Sequence, residues 1–315
     1  MTKTITGYGY NGTSSSFWAY PDNLSASTTY YAKGYVVVNG VTTYGNTISF
    51  KTTASAGSSQ TPAVDETWLE LPAAAGSQYD VVKVSYNGER NYTHLYDRDN
   101  YLSLWTAYPL SSRHMGSLSR PNNWSYNPNI EEKYQAALTG GSYSGSTYSR
   151  GHMIPNASRN GIKGMQLQTF YVTNSVPQVQ TRFNDGIWNN LEQAVQSVAE
   201  GEEIYVVTGV ALNKVGENRT VSYVSPNSNS SQKCAIPNYF YKVVLKVNKS
   251  GSTVTGAKAI GFWFENKAYT DQYTNYSVSV DQVEAWTGFD FFVNLPDNLE
   301  AAAETNTSWD TFKNF

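Results

Sequence analysis

The pattern of apolar and polar positions divides the chain into two stretches of different character. Through about residue 55 the two kinds alternate, with no helical period. Asn39-Gly40 lies between residues 34–38 and 41–44, and asparagine-glycine between two such runs predicts a tight β-hairpin. Residues 47–52 again alternate with period two. Residues 54–62 are small and polar, cannot pack a core, and predict a linker. Apolar content returns at Trp68-Leu69-Glu70-Leu71, which places the start of a second domain near Val64.

The second stretch mixes strands with helix. Strands are predicted over 79–86, 91–96, 101–108, 203–210, 237–245 and 259–264, the first two joined through Asn87-Gly88. From Asp185 to Val198 the apolar positions Ile187, Trp188, Leu191, Ala194, Val195 and Val198 have helical spacing. Asp185 suits the first turn of that helix and Gly201 its stop. On one continuous helix Asn184 and Glu192 would project from adjoining faces. Residues 138–145 are glycine-rich without a phosphate-loop pattern, and are expected near the site as a loop. Residues 280–284 and 287–292 close the domain.

Composition narrows the class. A length of 315 residues holds one large domain or two ordinary ones, and no apolar run approaches a membrane span. The charged fraction is only 15%, and 25 tyrosines with abundant Asn, Ser and Thr suggest an exported bacterial protein, secreted, periplasmic or at the cell surface. No signal peptide is seen: Met1-Thr2-Lys3-Thr4 runs straight into polar sequence, as at a processed or truncated start. The single cysteine, Cys234, forbids an internal disulfide and leaves the compartment open. A net charge of −3 argues against a basic coat for nucleic acid, but not against a local basic cleft. No Cys/His cluster supports a structural zinc site.

Candidate chemistry centres on Ser149-Arg150-Gly151-His152, where one of only three histidines stands beside an arginine. Downstream come Asn174-Ser175-Val176-Pro177-Gln178, then Asn184-Asp185-Gly186-Ile187-Trp188-Asn189-Asn190-Leu191-Glu192. In this order the three segments resemble the DNA/RNA non-specific endonucleases of the ββα-metal class, over residue 64 to the C-terminus. The family's box is Asp-Arg-Gly-His, so Ser149 departs from it. Leu24, Thr28 and Tyr30 resemble the tyrosine corner of fibronectin type III modules. Residues 1–55 then form part of such a module, 56–63 a linker and 64–315 the nuclease domain; a plain β-rich extension is the alternative for the first.

The resemblance implies an α+β fold, a mostly antiparallel central sheet with flanking helices and a ββα-metal active site. It implies His152 as general base, Arg150 as phosphate ligand, Asn184 as the direct ligand of Mg2+ (or Mn2+ or another divalent cation), and Glu192 as a residue ordering the metal's water shell. Asn174 is included among the catalytic residues, holding the active-site loop or a water of that shell, and Arg120 as a substrate contact. Structural alternatives stand beside these: a core histidine for His152, a helix cap for Asn184, a solvated helix-face carboxylate for Glu192, a solvated loop arginine for Arg120. His94 and His114 are expected to be structural or exposed. An imidazole of ordinary pKa, about 6.5, predicts activity falling below that pH. The implied reaction is endonucleolytic hydrolysis of DNA and RNA with little base preference, since contacts to phosphate and sugar read no sequence, leaving 5′-phosphate ends. Two other readings remain: a catalytically impaired nucleic-acid-binding or adhesion protein, favoured by Ser149, and a phosphodiesterase of small substrates.

Overall fold

The computed structural model describes residues 28–51, 68–73 and 75–315. The chain divides into two compact units, Met1–Asp65 and Glu66–Phe315. In the first, β1 (Thr29–Val38) and β2 (Val41–Lys51) form an antiparallel hairpin. Asn39 and Gly40 both have positive φ, 52° and 79°, which is the twist-matched two-residue turn that their sequence predicts. Leu24 of the proposed tyrosine corner and the linker over 54–62 lie outside the described residues.

The second unit is built on strands β3 (Asp80–Tyr86), β4 (Glu89–Asp97) and β5 (Leu102–Leu110), followed by β6 (Tyr148–His152), helix α1 (Lys163–Gln168), β7 (Ser175–Val179) and helix α2 (Trp188–Ala199). Then come β8 (Ile204–Ala211), β9 (Ser222–Val224), β10 (Cys234–Ile236), β11 (Tyr239–Ser250), β12 (Thr253–Glu265) and β13 (Ser277–Val278). Helices α3 (Val280–Thr287), α4 (Asp297–Glu304) and α5 (Trp309–Lys313) end the chain. Seven strands make one antiparallel sheet in the order β13-β12-β11-β8-β5-β4-β3. Its middle strands β5 and β8 are buried at every position, which explains why they read as continuous apolar runs: layers cover both faces.

Register sorts the two faces. Thr106, Thr208 and Lys242 are paired across β5, β8 and β11 and point one way, where Lys242 Nζ lies 4.9 Å from the Trp188 ring of α2. Their neighbours Trp105, Gly209, Tyr241 and Trp263 face the other way, where Trp263 meets Trp286 of α3 and Tyr241 meets Phe291. A side chain at Gly209 would collide with the Tyr241 ring, so glycine lets that ring lie flat on the sheet. Trp188, Leu191, Val195 and Ala199 form the buried stripe of α2. Each large side chain in it contributes about 1.5–3 kcal/mol by burial.

The helix starts later than its apolar spacing suggests. Residues Gln180–Ile187 are wound irregularly, with φ +62° at Arg182 and a non-helical Gly186. Asp185 accepts a hydrogen bond from the Arg182 amide at 2.6 Å, closing this segment rather than capping α2. Asn184 therefore lies ahead of the helix, and the rotation expected between it and Glu192 on one continuous helix does not apply. Arg159, fully buried, donates to Asn91 and Pro109 carbonyls at 2.7 and 2.8 Å, and so ties the loop after β6 to β4 and β5. No helix among the described residues is long and apolar enough to cross a membrane.

Candidate active site

The β6–β7 ladder aligns the box against the Pro-Gln segment: Ser149 pairs with Gln178, Arg150 with Pro177 and His152 with Ser175. Gly151 is required by this closeness, because a Cβ there would lie 2.3 Å from Gln178 Oε1 and 2.5 Å from its Cβ. Asn174 fastens the turn after the box. Its Nδ2 donates to the carbonyls of Ile154 (3.0 Å) and Thr169 (2.8 Å), and its Oδ1 accepts from the Ile154 amide at 3.0 Å. These three bonds join the turn after the box to the segment around Thr169.

His152 lies between two rings. Trp124 and Phe170 stand 4.9 and 5.1 Å from its centroid, brought together because Ser125 exchanges backbone hydrogen bonds with Phe170 and Val172. Its Nε2 is buried and has no hydrogen-bond partner among the described residues. Burial first, then the charges of Arg120 and Arg150, push its pKa down to about 3. The imidazole is thus neutral well below pH 6.5, which corrects the expectation of an ordinary histidine value.

The two arginines seat on the same two rings. Arg150 stacks over Trp124 at 4.3 Å and donates to the Leu138 carbonyl at 2.9 Å, which brings the 138–145 loop to the site. Arg120 lies 5.0 Å over Phe170, its Nε donating to Asn122 Oδ1 at 2.8 Å. Arg120 thus belongs to the cluster around His152. Cation–π contacts position both guanidiniums and leave further donors for an anion.

Asn184 completes the cluster. Its Nδ2 donates to Ser149 Oγ at 3.0 Å and to Gln180 Oε1 at 3.1 Å. Among the described residues no group donates to its Oδ1. Both N–H bonds being fixed, the carbonyl oxygen is oriented, as a hard divalent cation requires of a neutral amide ligand. Glu192, half-buried on α2, has its pKa raised by burial, against the opposing pull of Lys242 and Arg120. Lys242 is itself fully buried, hydrogen-bonded to Thr208 Oγ1 and lowered by that burial. His94 and His114 are both buried and structural: His94 Nδ1 meets Thr106 Oγ1 at 2.7 Å, and His114 Nδ1 accepts from the Ser111 amide at 3.1 Å.

Four participants were not legible as such. Trp124, Phe170 and Gln180 carry no local signal, since their roles depend on distant segments meeting at the box. Lys242 does leave a trace: it is a lone cation inside an apolar strand, and buried cations need partners.

The profile of the family described as DNA/RNA non-specific endonuclease matches residues 76–298. A nuclease of Nostoc sp. is 28% identical over 227 residues, covering 69% of this chain and 76% of its own length. The human mitochondrial nuclease EXOG is 30% identical over 211 residues, covering 65% of this chain and 56% of that protein. The solved structure of EndoG with EndoGI superposes with a TM-score of 0.59 at 22% identity, over 71% of this chain and 91% of that one, which is a likeness of fold. With its box, its ββα arrangement and a profile match across most of its length, the chain belongs to the DNA/RNA non-specific endonuclease family and is a nucleic-acid-cleaving hydrolase.

Proposed function

We propose that this chain is a divalent-metal-dependent endonuclease that hydrolyses DNA and RNA with little sequence preference and leaves 5′-phosphate ends. One observation carries the metal dependence: the Asn184 amide has both N–H donors fixed, to Ser149 and Gln180, while its Oδ1 takes no hydrogen bond among the described residues. A cation held there, Mg2+ or Mn2+, would supply charge stabilisation at the phosphate and the leaving 3′ oxygen.

The chain's own residues do the rest. Arg150 and Arg120 hold the phosphodiester above the rings of Trp124 and Phe170. Their positive charge disfavours protonation of His152, so an anionic phosphate between them raises the proton affinity of its imidazole. The imidazole then takes a proton from the attacking water, an effect worth about 100- to 10,000-fold. Glu192 orders water near the cation, with Lys242 behind it, and Asn174 holds the turn that carries His152 in place.

The catalytically impaired alternative rested on Ser149, and the Ser149–Asn184 hydrogen bond weighs against it. Residues 1–55 are read as part of a fibronectin type III-like module and 64–315 as the nuclease domain; the tyrosine-rich, lightly charged composition supports export to the bacterial exterior. Incubating supercoiled plasmid and single-stranded RNA with the protein in Mg2+ or in chelator tests the reading. Cleavage of both in Mg2+ alone is expected, with ends that a 5′-phosphate-dependent ligase accepts. DNA binding without cleavage at any metal concentration would return the impaired reading.

A further inference from the structure

On the sheet face opposite α2, the end of the chain gathers carboxylates. Asp281 and Glu284, one turn apart on α3, and Glu304, the last residue of α4, have carboxylate oxygens all within 4.8 Å of one another. Asp290 and Glu300 line the same cleft of about 360 Å³ beside Asp281 and Glu304. Among the described residues no lysine or arginine forms a salt bridge with any of the five. Five acids converging without a cation repel one another.

A second observation separates this cluster from an ordinary acidic surface. Glu304 is only 5% exposed, and its buried Oε1 has no hydrogen-bond partner among the described residues. A buried carboxyl oxygen left without a partner costs free energy that a bound cation would offset. Glu284 is already positioned, its Oε1 accepting from the Phe291 amide at 2.7 Å, and α3 is fixed by Trp286 on Trp263. The site is therefore held by the fold from two helices and the segment between them.

The geometry points to a calcium-binding site formed by Asp281, Glu284 and Glu304, with Asp290 and Glu300 supplying further oxygens or holding its waters. Oxygen-only donors select a hard cation. Mg2+ usually takes one or two carboxylates in a strict octahedron, whereas Ca2+ accepts six to eight oxygens in a flexible shell, which suits a cleft with this many carboxylates. The cation would clamp α3 to α4 and so stabilise the C-terminal part of the sheet, apart from the catalytic cluster on the other face.

The experiment is calcium titration of the full chain by calorimetry, with melting temperature measured in chelator, CaCl2 and MgCl2. In wild type, Ca2+ is expected to raise the melting temperature by roughly 5–10 °C at about a hundredfold excess over Kd, and Mg2+ by less. Asn184→Ala should keep that rise. Glu304→Gln should lose it, while melting close to wild type in chelator, because the amide replaces a carboxyl of the same shape that burial and its acidic neighbours keep protonated there. Asp281→Asn, at an exposed position, should weaken calcium binding about tenfold or more even if Glu304→Gln fails to fold. A wild type that melts alike in calcium and chelator overturns the site. So does a calcium response lost in Asn184→Ala but kept in Glu304→Gln and Asp281→Asn.

Discussion

The Asn184 amide donates to Ser149 Oγ across 3.0 Å, joining the segment ahead of α2 to the one box position where this chain departs from its family. An acceptor at residue 149 holds the amide nitrogen inward and the carbonyl oxygen free. Serine meets that requirement without the charge an aspartate would add near a cation.

Substitution at this position separates the two contributions. Ser149→Ala removes the acceptor and should raise the Mg2+ concentration for half-maximal cleavage about tenfold, while Ser149→Asp should lower it by a comparable factor. Plasmid cleavage across a magnesium titration measures both. An unchanged requirement in both variants would mean that Ser149 does not orient Asn184.

The environment of His152 fixes a pH signature. In the free protein its pKa is pushed to about 3, while bound phosphate offsets the arginine charges and raises it. The acid limb of kcat/KM, which reports the free enzyme, should therefore lie below pH 6.5, and that of kcat, which reports the complex, should lie higher. Both limbs at 6.5 or above would remove the buried, arginine-flanked base.

Buried His94 makes stability depend on pH. Its pKa is pushed down to about 3 by burial, so between about 3 and 6.5 the unfolded chain binds the extra proton. Stability from this group is full above 6.5 and is lost as pH falls toward 3, on the order of 4–5 kcal/mol. In urea unfolding, the advantage of wild type over His94→Gln should shrink from pH 7 to pH 4. An advantage that stays constant would contradict the sign.

Every residue assigned to the candidate site lies between Arg120 and Lys242, inside the compact unit Glu66–Phe315. A chain beginning at Val64 should keep most of its cleavage activity. A folded truncation, matching the intact chain in far-UV circular dichroism, that cleaves nothing would show that the N-terminal unit is needed.

What could be read from the sequence was what local chemistry dictates. Asn39-Gly40 and Asn87-Gly88 announced hairpins because both residues of each turn take positive φ. The strands β8 and β11 and the buried stripe of α2 followed from runs and spacing. The start of α2 did not, since the apolar positions continue in helical register through a segment broken at Arg182 and Gly186. Nor did the pKa of His152, which is set by Trp124, Phe170 and Arg120, residues that meet it only in the folded chain. Register across the sheet, not sequence, places Lys242 behind Glu192.

The assignment of metal and base to different side chains is tested most directly by one measurement: cleavage rate against Mg2+ concentration for Asn184→Ala and His152→Ala beside wild type. Asn184→Ala should approach the wild-type maximum only at magnesium raised about tenfold or more. His152→Ala should keep the wild-type magnesium midpoint while its maximum falls about 100-fold or more. Two variants with the same loss, unaltered by added magnesium, would contradict the division of labour between Asn184 and His152.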